Sequence, residues 1–120
     1  MASGRAVLMN ERTGQPIATD VAVAATRRAR RRGLLGRDSL DSGAALLLSP
    51  CAAIHTAWMR FAIDVIFLDA GGRVLRTVPA LPTWRIAACR GAHAVVECVA
   101  GSLSGAELFD GDRLYLAPAD

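Results

Sequence analysis

The sequence predicts a mainly β fold of the α+β kind: a small single domain of antiparallel hairpins carrying two short helices. Three observations predict it. Apolar runs of strand length recur along the 120 residues and are separated by Gly, Asn, Asp and Pro rather than by long polar tracts. From residue 57 to residue 67 every odd position is apolar (Ala57, Met59, Phe61, Ile63, Val65, Phe67), while Thr56, Arg60 and Asp64 stand at even ones; this period of two separates the faces of a strand. Hydrophobic residues make up 52% of the chain but aromatics only 5%, so Ala, Val and Leu must fill the core. That suits close-packed strands better than a roomy cofactor cage, and no cofactor is expected.

Residues 5–9 and 16–25 are short apolar or β-branched runs around Asn10-Glu11-Arg12-Thr13-Gly14, where Asn and Gly favour a reversal, so the chain opens on a hairpin. Thr26 is placed to cap a short basic helix over Arg27 to Arg32, and Gly33 to end it in a left-handed conformation. Ala44 to Leu48 is an uninterrupted apolar run stopped by Ser49-Pro50, as expected of a strand buried on both faces. The alternation over 57–67 predicts a strand-rich segment with one dry face. Asp69-Ala70-Gly71-Gly72 then turns the chain into a strand over 73–78. Pro79 and Pro82 predict a loop over 79–85. Residues 92–99 resume strand character, and Ser104 with Glu107 at capping-box spacing predicts the second helix within 102–108. Asp110-Gly111-Asp112 turns into a last strand over 113–117. No repeat, low-complexity tract or linker intervenes, so 1–120 is read as one domain.

All fourteen basic residues are Arg, and the net charge of +3 is local. Arg27, Arg28, Arg30, Arg31 and Arg32 supply five charges within six positions, while the rest of the chain sets nine Arg against eleven acids. Such a run can grip phosphates, with affinity that falls as salt rises. No aromatic platform is interleaved with it, however, so nucleic acid is disfavoured as a partner and a solvated helix face is favoured. Three cysteines, Cys51, Cys89 and Cys98, cannot all pair within one chain, and residues 1–10 do not resemble a signal peptide. A cytoplasmic protein is expected. No apolar run approaches the roughly 20 residues needed to cross a bilayer, which argues against a membrane span.

The segments Arg32-Gly33-Leu34-Leu35-Gly36-Arg37, His55-Thr56-Ala57-Trp58-Met59-Arg60-Phe61-Ala62-Ile63-Asp64-Val65-Ile66-Phe67-Leu68-Asp69, Val96-Glu97 and Gly111-Asp112-Arg113-Leu114, with the Gly72 turn, carry a resemblance in their order and spacing. Over about residues 18–117 the chain resembles the bacterial and archaeal family called domain of unknown function 192. The resemblance implies a compact, mostly β, barrel-like domain without an accepted catalytic activity. At the level of partners it implies a role accessory to pilus or secretion assembly. The family usually carries Pro where this chain has Ala62, which implies two strands joined by a kink or bulge at that point.

The side chains capable of chemistry gather in residues 51–69. The favoured reading is a non-enzymatic domain that binds a small polar ligand or a protein partner across a face formed by His55, Thr56, Arg60 and Asp64, with Trp84 and Arg85 at its edge. Against it stands a structural reading, in which Arg32, Arg37, Arg60 and Asp64 form an ion-pair network because buried charges must be paired. An enzymatic alternative makes Cys51 a hydrolase-like nucleophile, His55 its base and Asp64 the residue orienting His55. A zinc alternative notes that Cys51-x-x-x-His55 recurs as Cys89-x-x-x-His93, giving four N and S ligands. Four residues of strand span about 13 Å, so each pair would share a metal only across a bend.

Overall fold

A computed structural model describes residues 6–119. Arg5, where the sequence begins the first strand, lies outside the described residues, as do the rest of 1–5 and Asp120. The elements are β1 (Ala6–Asn10), β2 (Pro16–Ala24), α1 (Arg27–Arg32), β3 (Ala44–Leu48), β4 (Ala53–His55), β5 (Ile63–Leu68), β6 (Val74–Leu81), β7 (Ile86–Ala88), β8 (Ala94–Val99) and β9 (Leu114–Pro118). Seven strands form one sheet in the order β6-β5-β8-β3-β2-β1-β9, and β4 pairs with β7 in a small second sheet.

The mainly β class is correct, but the architecture differs from a barrel of antiparallel hairpins. The large sheet is open and mixed, because β2 and β3 run parallel, from Asp20 opposite Ala44 to Ala24 opposite Leu48. Parallel neighbours need a crossover connection, and residues 25–43 supply it, carrying α1 across one face of the sheet. The edge strands do approach each other. Leu114 N–H donates to Gly72 O at 2.8 Å, and Arg73 bridges Arg113, but no ladder closes the ring. Gly72 is required at this contact: its φ is +86°, and a Cβ there would sit 2.5 Å from Leu114 O.

Thr26 caps α1 by accepting from Ala29 N–H, and Gly33 ends it, as the sequence predicts. Only this one short helix forms among the described residues. Over 102–108 the chain instead makes successive tight turns, with Ser104 N–H bonded to Gly101 O and Ala106 N–H to Leu103 O. The amides of Gly101 and Leu103 are drawn away to the Asp64 carboxylate at 3.0 Å. Glu107, expected to complete a capping box, pairs with Arg12.

β5 and β8 form the centre, and all six residues of β5 are buried. Its odd residues Ile63, Val65 and Phe67 join one apolar cluster with Leu48, Ile54 and Val95. Its even residues Ile66 and Leu68 join a second with Leu8, Val96 and Cys98. The period-two reading therefore holds from Ile63 onward, except that both faces are dry. It fails over 57–62, which is a turn between β4 and β5 with Trp58 at φ +66°. The break that the family's proline implies near Ala62 thus exists here without proline. The loop expected over 79–85 is strand as far as Leu81. Between Ile63↔Leu81 and Val65↔Val78 the pairing skips one residue on β5 but two, Pro79 and Ala80, on β6. Proline is tolerated in a sheet at such a bulge, where no ladder donor is needed.

The Gly111-Asp112 turn is pinned by the Asp112 carboxylate. Asp112 accepts from Phe109 N–H, from Asn10 Nδ2 and from both forks of the Arg12 guanidinium. The Arg12 contact, then the Phe109 amide, holds its carboxyl well below the usual carboxylate range.

Candidate functional site

Thr56 is fully buried and ties the turn after β4 to the loop before β7. Its N–H donates to Arg85 O, its hydroxyl donates to Pro82 O at 2.7 Å, and it accepts from Arg85 N–H at 2.8 Å. Its carbonyl receives the N–H groups of Met59 and Trp84. This clamp brings Trp58 and Trp84 edge to face, 4.6 Å between centroids. Both take positive φ, +66° and +64°, and both are exposed. Thr56, Trp84 and Arg85 are thus neighbours, and Thr56 is spent on backbone groups.

Arg60 and Asp64 leave that face. The Arg60 guanidinium pairs with Asp38 on the surface. Asp64 points into the opposite cluster, since it pairs across the strands with Cys98 while Val65 pairs with Glu97. It accepts from Ala80 N–H at 2.8 Å and from the amides of Gly101 and Leu103, so it anchors the β6 bulge and the 101–103 turns. It borders a cavity of about 350 Å³ walled by Leu103, Ala106 and Leu108. The expected network of Arg32, Arg37, Arg60 and Asp64 is not formed. The constellation of Cys51, His55 and Asp64 is split by the sheet: Cys51 and His55 border one cavity and Asp64 the other. The Cys51 thiol donates to Ala53 O at 3.2 Å. Among the described residues no three of His, Cys, Asp and Glu gather closely enough to hold a metal, so Cys51, His55, Cys89 and His93 do not assemble a zinc centre. Cys98 is buried, and burial, reinforced by the Asp64 charge, pushes its thiol up to about 12, which removes it from nucleophilic chemistry.

The strongest candidate site lies under α1. That helix buries none of its own residues, so it crosses the sheet without filling the space beneath it. A cavity of about 300 Å³ remains, with Leu34, Leu48, Ile54 and Met59 among its apolar walls. Arg27, Arg31, Arg32 and His55 border it and are exposed, which puts them at its mouth. Its floor holds Glu97, only 3% exposed. Glu97 stands on the β8 face that also carries Val95, and a Cβ on Gly33 would come within 3.8 Å of its Oε1. No donor and no cation reaches its carboxyl among the described residues, and burial alone pushes it up to about 7. Buried acids are ordinarily paired. From the sequence, Glu97 belongs to a strand and to the segments that carry the family resemblance, without a role at a site. The signal was present, because a lone acid interrupts the apolar run Ala94-Val95-Val96-Glu97-Cys98-Val99.

The fold and the cleft define a small β-domain with an open mixed sheet and one charged pocket under a crossover helix. The model of DUF192, an uncharacterized ACR family, matches residues 8–116, and the chain belongs to that family, the one its motifs resemble. No curated protein matches it. Two crystal structures are similar to it in fold. One is of a Sinorhizobium meliloti protein described as a candidate transcription regulator, 20% identical, with a TM-score of 0.82 over 96% of this chain and 94% of the other. The second is of a protein of unknown function from Novosphingobium aromaticivorans, 18% identical, with a TM-score of 0.79 over 92% and 83%. No helix among the described residues is long and apolar enough to cross a membrane.

Proposed function

We propose that this chain is a non-enzymatic binding domain that takes a small, partly polar ligand in the cleft between α1 and the β3–β8 face. The observation that carries this reading is the Glu97 carboxyl, which belongs to a residue only 3% exposed and opens on the cavity with no protein donor or cation on it among the described residues. Desolvation of this kind favours the neutral acid, and a bound ligand offering a hydrogen-bond donor would supply the contact that no protein group makes. His55 borders the same cleft and serves as a polar contact at its mouth. Thr56 supports the site by holding the turn that carries Met59, Asp64 holds the far side of the sheet, and Trp84, Arg85 and Arg60 act from the surrounding surface. Three free cysteines suit a reducing cytoplasm as its compartment.

Backbone amide NMR of the isotope-labelled protein against a library of small polar fragments tests this. The expected result is a set of binders whose shifts cluster at Gly33, Leu34, Met59 and Glu97 and weaken in Glu97→Gln. Shifts confined to other surfaces, or no binders, would overturn it.

A protein partner is the second reading, favoured by one observation: Trp58, Trp84 and Ile86 are 72%, 55% and 79% exposed, and large exposed side chains of this kind mark contact surfaces. A role accessory to pilus or secretion assembly belongs to this reading. The description of the Sinorhizobium protein would direct attention to the α1 arginines and nucleic acid instead; binding that collapses with added salt would favour that route.

A further inference from the structure

The cleft under α1 is polar at both ends and with opposite sign. Its inner end is the unpartnered Glu97 carboxyl, its walls are aliphatic, and its outer end carries Arg27, Arg31 and Arg32. None of these three guanidiniums meets an acid within the described residues. Arg30, also at the cleft, is tied to Ala25 O at 2.6 Å and is less free to turn toward a ligand. We infer that the cleft selects an amphoteric small molecule, with a cationic nitrogen at its inner end, a carboxylate or comparable anion at its outer end, and a short apolar body between them. This rests on the binding reading above and names the ligand class for that site.

Each simpler ligand fails on one of these features. A purely anionic molecule satisfies the arginines but leaves Glu97 facing its apolar tail or a like charge. A purely cationic molecule satisfies Glu97 but must pass a mouth whose field repels it. A neutral apolar molecule fills the walls and leaves both polar ends without contacts. Size follows from volume: about 300 Å³ equals the space of about ten molecules of liquid water, enough for a chain of roughly that many heavy atoms. The charged and titratable groups bordering the cleft with Glu97 are Arg27, Arg30, Arg31 and Arg32 from the α1 segment, and Cys51 and His55 from the chain around β4.

The test uses three matched probes, ε-aminocaproate, caproate and hexylamine, titrated into the isotope-labelled protein at about pH 8 and followed at the backbone amides of Gly33, Leu34 and Met59. ε-Aminocaproate is expected to bind at least tenfold tighter than either single-ended probe. Glu97→Gln should weaken ε-aminocaproate and hexylamine at least tenfold while leaving caproate unchanged or tighter. The double variant Arg31→Ala/Arg32→Ala should weaken ε-aminocaproate and caproate, and Arg90→Ala, which removes a charge elsewhere on the surface, should change none of them. If caproate equals or exceeds ε-aminocaproate, or if Glu97→Gln leaves the ranking intact, the assignment of charge to the two ends is wrong although the cleft binds. If these probes leave the cleft amides unmoved while other fragments shift them, the amphoteric class fails and the binding reading stands. If no compound of either set moves them, both fall.

Discussion

Asp64 and Glu97 are carboxylates on adjacent central strands, 2% and 3% exposed, yet they face opposite sides of the sheet and live under opposite conditions. Asp64 receives three backbone N–H groups that would otherwise be stranded at a bulge and a turn. Glu97 receives none among the described residues, and burial lifts its carboxyl from 4.5 to about 7. Equal burial therefore has contrary consequences. The first acid completes the scaffold; the second is a cost to the scaffold that a ligand can offset.

Removing Asp64 should have the largest effect. Asp64→Ala leaves three partly buried amides without their charged acceptor and should cost about 3 to 5 kcal/mol in chemical denaturation. Asp64→Asn, which keeps one accepting oxygen, should lose less. A loss under 1 kcal/mol for Asp64→Ala would erase the contrast between the two acids.

Glu97→Gln should act in the other direction. Because the folded state holds the Glu97 proton more tightly than the unfolded chain, this group's contribution to stability is complete below about pH 4.5 and disappears as pH rises through about 7. At pH 8 the Gln variant should be the more stable protein by about 3 kcal/mol, and the two should converge in acid. Denaturation midpoints measured from pH 5 to pH 8 check the sign, and a wild-type profile parallel to that of the variant would count against it.

Thr56→Val keeps the shape of the residue but removes the hydroxyl shared by Pro82 O and Arg85 N–H. The expected cost is about 2 kcal/mol, accompanied by loss of the near-ultraviolet circular dichroism arising from the Trp58–Trp84 pair. An unchanged aromatic signal would show that the clamp does not set the pair. The smallest effect belongs to Arg60 and Asp38, an exposed ion pair. Arg60→Ala should cost less than about 1 kcal/mol and leave cleft binding intact; a larger loss would return Arg60 to the functional face that the sequence suggested.

These contrasts also show what the sequence could express. The capped helix at Thr26 and Gly33 and the buried strand Ala44–Leu48 are local patterns present in the structure, and the alternation expected over 57–67 is present only from Ile63 onward. The parallel pairing of β2 with β3 is not local, since it depends on where residues 25–43 cross the sheet. The bulge at Pro79 and Ala80 was hidden because proline signals a break without telling a loop from an irregular strand. The candidate site was half legible. His55 and Cys51 border the cleft, but spacing along the chain tied them to Asp64, whereas one step in strand parity sends that side chain to the other face. The lone acid at Glu97 is visible in the apolar run of β8, but that no protein group meets its carboxyl is a property of three-dimensional packing.

The most direct test of the central claim is the titration of the Glu97 side-chain carboxyl carbon by NMR, first in the free protein and then with saturating ε-aminocaproate. The account predicts a free midpoint of about 7 that falls when the ammonium group arrives, because an adjacent cation favours the ionised acid. A midpoint near 4.5 in the free protein, or one that does not move with the probe, would contradict it.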